Sequence, residues 1–206
     1  MVRLLRYPLL LIIFFAGLLV MLRGIGAMQR GNWFAAMLAE DAQLSERGWC
    51  WRGLCPDYTP YKTAFNDIQG WFPAHDTMAA GTILYWEQTE GAAHWSGRVR
   101  GIEDMPMQFA QIRPMLNSFT FGEAVLQFGE PSVVQIHGYI GYDTWLIFVY
   151  YERGIYTEMV IDEPRLKPNQ AVISISFDAT GETARPTDFY PRKNTIDGWH
   201  GFALLR

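Results

Sequence analysis

The chain has 206 residues, half of them hydrophobic and 15% aromatic, which supplies a folded core and excludes disorder over most of the length. Arg3, Arg6, Arg23 and Arg30 are the charged residues of positions 1–30; of the 17 basic and 21 acidic residues, the other 13 bases and all the acids lie beyond, leaving a body at −8. An acidic body excludes nucleic acid as a partner, because phosphate binding needs a basic face, and it excludes attachment of the body itself to anionic lipid.

Residues 8–22, PLLLIIFFAGLLVML, form an unbroken apolar run between Arg6 and Arg23. As a helix the run reaches about 22 Å, short of a hydrocarbon core of about 30 Å. Tyr7, snorkelling arginines and the GIGAM stretch to Met28 extend it, so residues 7–28 are the expected membrane contact. A cleaved signal peptide and an uncleaved anchor both fit such a run. A cut after Ala27 places Ile25 where a small residue belongs, which favours the anchor. The basic flank puts the N-terminus inside and the body on the extracytoplasmic side of the plasma membrane.

Residues 33–45 carry helix formers behind Asn32 as N-cap, and predict a helix linking the membrane segment to the body. Both cysteines follow in GWCWRGLCP. The spacing between Cys50 and Cys55 is neither a C-x-x-C redox centre nor a zinc pair, and His75, His94, His137 and His200 are scattered. In an exported body a disulfide is expected; two reduced, buried thiols are the alternative. Thr59 as N-cap, Pro60 at the first position and Gly70 as stop predict a short helix, with Phe65 and Ile68 on one face. Strands are predicted in GTILYWEQ, HWSGRVRGIE and MQFAQIRP. The second half repeats the order. Thr120 and Glu123 make a capping box, Val125, Leu126 and Phe128 give the apolar face, Gly129 the C-cap and Pro131 the stop. Strands follow in SVVQIHGY, TWLIFVYY, IYTEMVI and AVISISF.

This order predicts an α+β fold: an N-terminal transmembrane helix, then two tandem helix-plus-antiparallel-sheet units that share a core, since each alone is too small to bury its sheet. The expected divisions are an anchor over 1–30, a linking helix over 31–47, a first unit over 48–116, a second over 117–180 and a packed tail over 181–206.

The segments CWRGLCPDYT, FTFGEAVLQFGEPSVVQ and VYYERGIY resemble the small module of the SmpA/OmlA lipoprotein family, which occurs twice in the β-lactamase inhibitor protein. Thr120, Gly129, Pro131, Tyr151 and Gly154 carry the match, and Trp199, Gly201 and Phe202 resemble the end of a group of membrane-anchored bacterial proteins. The resemblance implies a tandem α/β module and a role in holding, inhibiting or assembling another protein. No lipobox cysteine follows the apolar run, so lipid attachment is not implied, and the first unit has CPDYT where the pattern places Pro-Gly.

No G-x-S-x-G, H-E-x-x-H, Walker loop or G-x-G-x-x-G occurs, and DATGET lacks the lysine of a phosphate loop. His94 and His137 are lone histidines in strand patterns and read as structural, not catalytic. Glu40–Asp41, Glu103–Asp104 and Asp162–Glu163 read as solvated loop or helix-end pairs. Neither a catalytic residue nor a metal or cofactor site is therefore expected. The aromatic load is the unusual signal. Trp71, Trp86, Trp95, Trp145 and Tyr142 are the candidate binding surface; core filling is the competing role for the same side chains. The expected function is a non-catalytic, membrane-anchored binding or assembly module with a membrane or envelope protein as partner. The alternative is an enzyme acting on cell wall or glycan through two facing carboxylates.

Overall fold

The computed structural model describes residues 33–72, 77–88, 94–114, 118–138, 144–163, 165–178 and 195–198. The apolar run at 8–22, Asn32, Tyr142 and the Trp199–Phe202 end lie outside them. No helix among the described residues is long and apolar enough to cross a membrane.

The α+β expectation is overturned: the described chain is mostly β, with eleven strands and three helices. Helix α1 covers Trp33–Asp41, and the next residues turn into a hairpin of β1 (Ala42–Ser45) and β2 (Gly48–Trp51). The predicted linking helix is therefore cut short, because Gln43 pairs with Cys50 across the hairpin and tertiary pairing overrides helix propensity. Helix α2 (Tyr61–Trp71) leads into β3 (Thr77–Ala80), β4 (Ile83–Gln88), β5 (Trp95–Arg100) and β6 (Phe109–Pro114). Helix α3 (Phe121–Phe128) leads into β7 (Val133–Gly138), β8 (Trp145–Tyr151), β9 (Ile155–Ile161) and β10 (Ser174–Asp178); β11 (Thr195–Gly198) pairs with β7. The nine strands after α2 make one antiparallel sheet in the order β11-β7-β8-β9-β10-β6-β5-β4-β3. Two meanders thus meet where β6 pairs with β10, Ile112 opposite Ile175, and hydrogen bonding runs unbroken through the seam. Consecutive runs of β-branched and aromatic residues favour this outcome, since each finds its partner one turn away.

One face of the sheet carries the core. Leu84, Trp86, Val99, Ile112, Ile175, Phe177, Ile147 and Val149 face Phe34 and Leu38 of α1, Ala64 and Ile68 of α2, and Phe121 and Ala124 of α3 in a single buried cluster. Helix α1 is therefore part of the core and not a spacer. At α3 the capping box forms: the Thr120 amide donates to Glu123 Oε2 at 2.8 Å and the Glu123 amide to Thr120 Oγ1 at 3.4 Å. The next two amides, of Phe121 and Gly122, donate to the carbonyls of Gln170 and Pro168. Gly129 closes the helix at φ 90°, a conformation natural to glycine. Thr120→Ala should lower unfolding stability by about 1 kcal/mol in a denaturant titration. An unchanged midpoint would mean that the loop carbonyls alone hold the helix start.

Thr59 does not cap α2. Pro60 is the capping residue, and no side chain bonds the helix amides there. Thr59 Oγ1 instead accepts from the Cys55 amide at 2.8 Å, holding the loop that the Cys50–Cys55 disulfide closes. Gly70 lies within the helix, which ends at Trp71 with Phe72 as C-cap.

Candidate functional site

The disulfide joins the end of the β1–β2 hairpin to the approach of α2, and so fixes Trp51 between them. Trp51 is the hub of an aromatic cluster. It stacks on Trp86 with ring centroids 5.3 Å apart at 8°, and meets Trp95 and Trp71 edge-on at 5.9 and 5.7 Å. Phe72 stacks on the other neighbour, Trp86, at 5.9 Å. Three of the predicted surface tryptophans thus come together, but Trp86 and Trp95 do so inside the core. Trp71 alone of the three reaches solvent, at 37% exposure, under the Arg52 guanidinium that lies 5.6 Å from its ring and pairs with Asp41 at 2.8 Å. Trp145 is half-buried on β8, in the other half of the sheet.

The opposite face of the sheet is different in kind. Strand neighbours alternate, so the residues between the core positions line this outer face. Cross-strand register aligns Tyr150, Tyr156, Ser176, Gln111, Arg98 and Tyr85 in one row over six strands. Beside it, Gln135, Phe148, Glu158 and Ser174 are aligned across β7 to β10, and Arg113, Ser96 and Glu87 across β6 to β4. All three helices pack into the core cluster, whereas Leu146, Phe148, Tyr156 and Tyr150 form a separate small cluster on this side. Hydrogen bonds tie the rows together. Gln111 Nε2 donates to Ser174 Oγ and Ser176 Oγ, each at 3.1 Å, and Ser174 Oγ donates to Glu158 Oε2 at 2.8 Å. The Tyr150 hydroxyl donates to Gln135 Oε1 at 3.0 Å. Burial pushes the Tyr156 hydroxyl far above the ordinary tyrosine range; the hydrogen bond with Ser176 opposes this, and the Asp178 and Glu158 carboxylates add to it. Tyr156 therefore stays protonated at any physiological pH and acts as a hydrogen-bonding group, not as a base.

The centre of the outer face is buried, Gln111 at 2% exposure, while the flank over β4–β6 is open: Tyr85, Ser96, Arg98 and Phe109 are half-buried, and Arg100 and Arg113 are exposed. Two polar atoms at this boundary have no hydrogen-bond partner, Gln111 Oε1 and Arg98 Nε. The Arg98 guanidinium lies 5.5 Å from the Phe109 ring. Sequence reasoning missed these residues. The available signal was R-V-R in strand β5, where the two-residue period puts both arginines on one face. A separate groove of about 460 Å³ runs between α2 and the β3–β4 turn, lined by Tyr61, Phe65, Thr82, Gly101 and Ile102. Among the described residues no cluster of His, Cys, Asp and Glu is arranged to hold a metal ion.

No protein-family model matches the chain, and no curated protein matches it. Neither the SmpA/OmlA family nor the inhibitor-protein module is shown by these comparisons. Among solved structures the chain is similar to a DUF4309 family protein (YjgB) from Bacillus subtilis subsp. subtilis str. 168, with 11% identity over 71% of this chain and 93% of that one and a TM-score of 0.39, a likeness too slight to bear on function.

Proposed function

We propose that the chain is a non-catalytic binding or assembly module, held at the plasma membrane by residues 7–28 with its body on the extracytoplasmic side, and that the outer face of the sheet over β4–β6 is where it takes a membrane or envelope protein partner. The observation that carries this reading is the open flank of that face: a row of aromatic and hydrogen-bonding side chains on the side of the sheet away from the helices, ending in unpaired polar atoms. The Cys50–Cys55 disulfide supports an oxidising compartment. The motif resemblance carried by Thr120, Gly129, Pro131, Tyr151 and Gly154 points the same way. In-cell photo-crosslinking tests it. A photoreactive residue at Ser96 should give a discrete adduct, while one at Leu126, 89% exposed on α3, should give none. Equal adducts at both sites, or none at Ser96, would sink the binding-face reading. Protease added outside intact spheroplasts should digest the body; full protection would overturn the topology.

The alternative is an enzyme acting on cell wall or glycan, which needs two carboxylates facing each other across a cleft; on the outer face Glu158 and Asp178 stand four positions apart in register, and Asp178 is 1% exposed. Turnover of cell-wall fragments by the purified chain, abolished by Glu158→Gln, would favour an enzyme over a binding module.

A further inference from the structure

Three arginines crowd one patch of an acidic body. Arg98 and Arg100 lie two apart on β5 and so share the outer face; Arg113 on β6 opposes Ser96 and stands diagonal to Arg98. The ion pairs of the described residues are Arg52–Asp41 and Lys167–Glu163, and none of the three arginines takes part in one. Glu87, opposite Ser96 on β4, is exposed and bounds the patch on one side. Directly across from Arg98 lies Gln111, whose amide nitrogen is committed to Ser174 and Ser176 and whose Oε1 is buried without a donor. A buried acceptor and the Arg98 Nε donor, both unmade and on adjacent strands, are costly unless a ligand or water completes them.

The arginines repeat at the two-residue spacing of a strand, about 6.7 Å, which is also the spacing of same-side side chains in an extended peptide. Guanidinium groups pair with carboxylates in a planar, two-bond geometry. We propose that Arg98, Arg100 and Arg113 form a site for an extended acidic segment of a protein partner. Alternate carboxylates of that segment pair with the arginines. The proposal rests on the outer face being the binding face and adds the chemistry of what binds there.

The probe is a short capped peptide of alternating Glu and Thr, labelled for fluorescence anisotropy, titrated with the full chain in neutral detergent. It should bind, weaken as salt rises, and bind about tenfold better than the matching Gln–Thr peptide, as expected when several exposed charge pairs are lost together. Arg100→Gln and Arg113→Gln sit on exposed positions, so both variants should unfold at the temperature of the parent chain while each weakens the probe by about fivefold. The proposal is overturned by no binding of the Glu–Thr peptide, by equal binding of the Gln–Thr peptide, or by an unchanged affinity in the Arg100→Gln/Arg113→Gln double variant. Binding of phosphatidylglycerol vesicles or polygalacturonate in place of the peptide overturns it equally. The Ser96 crosslink separates the two failures. An adduct kept in the double variant means that the face binds by other chemistry; no adduct in either chain means that the face is not the site.

Discussion

Trp86→Ala should destabilise the protein by about 3–5 kcal/mol, the range for emptying a buried aromatic site. Trp86 is 2% exposed, and its ring stacks against two others, Trp51 at 5.3 Å and Phe72 at 5.9 Å, both nearly parallel to it. Removing the shared ring leaves a void lined by rigid groups. Trp51 is tethered through the disulfide loop and Phe72 ends α2, so neither collapses easily into the gap. Trp145→Ala, at a half-buried position on β8, should cost distinctly less. Denaturant unfolding of both variants checks the ranking. A loss for Trp86→Ala no larger than that for Trp145→Ala would mean that the stack contributes little.

The second large effect is expected at Gly97. A Cβ there would run into the Trp86 indole and come within 2.8 Å of the Gln111 carbonyl oxygen on the next strand. Cζ2 and Cε2 of the indole occupy the space a Cβ of residue 97 would need, so only glycine leaves room for the ring. Overpacking of this sort costs about 1–3 kcal/mol, and the carbonyl belongs to the sheet ladder and cannot swing away, which places Gly97→Ala at the upper end. The pair of variants forms a cycle. Once Trp86 is alanine, most of the clash disappears and Gly97→Ala should cost far less than in the parent chain. Strictly additive losses in the double variant would show that the indole does not lie over Gly97.

What could be read in advance was local. Thr120 and Glu123 are three residues apart, and the box they form needs nothing beyond its own turn. Cys50 and Cys55 are five positions apart, so their bond closes a loop that needs no distant partner. The strand runs were found because alternation is a property of the run itself. The rest depended on distant partners. Alternation puts Tyr85 and Trp86 on opposite faces but does not say which face is inside; Gly97, Trp51 and Phe72 decide that, and they come from a neighbouring strand, a hairpin and a helix end. The helix formers after Asp41 were overruled by pairing with residues across the disulfide hairpin. Two of the three outer-face arginines were visible as R-V-R, but Arg113 joins them only through the β5–β6 register. The one continuous sheet depends on β6 meeting β10, whose Gln111–Ser174 bond spans 63 positions of sequence.

That seam also orders events in time. As the chain emerges during synthesis, β3 to β6 can pair with one another at once, yet β6 then ends in an open edge that waits for Ser174–Asp178. Closing so long a loop is slow, and an unpaired edge invites wrong pairing in the meantime. A chain stopped before Ser174 would keep Gln111 without either of its serines and Ile112 without Ile175, so the N-terminal strands stay a provisional structure until almost the last segment of the body has arrived.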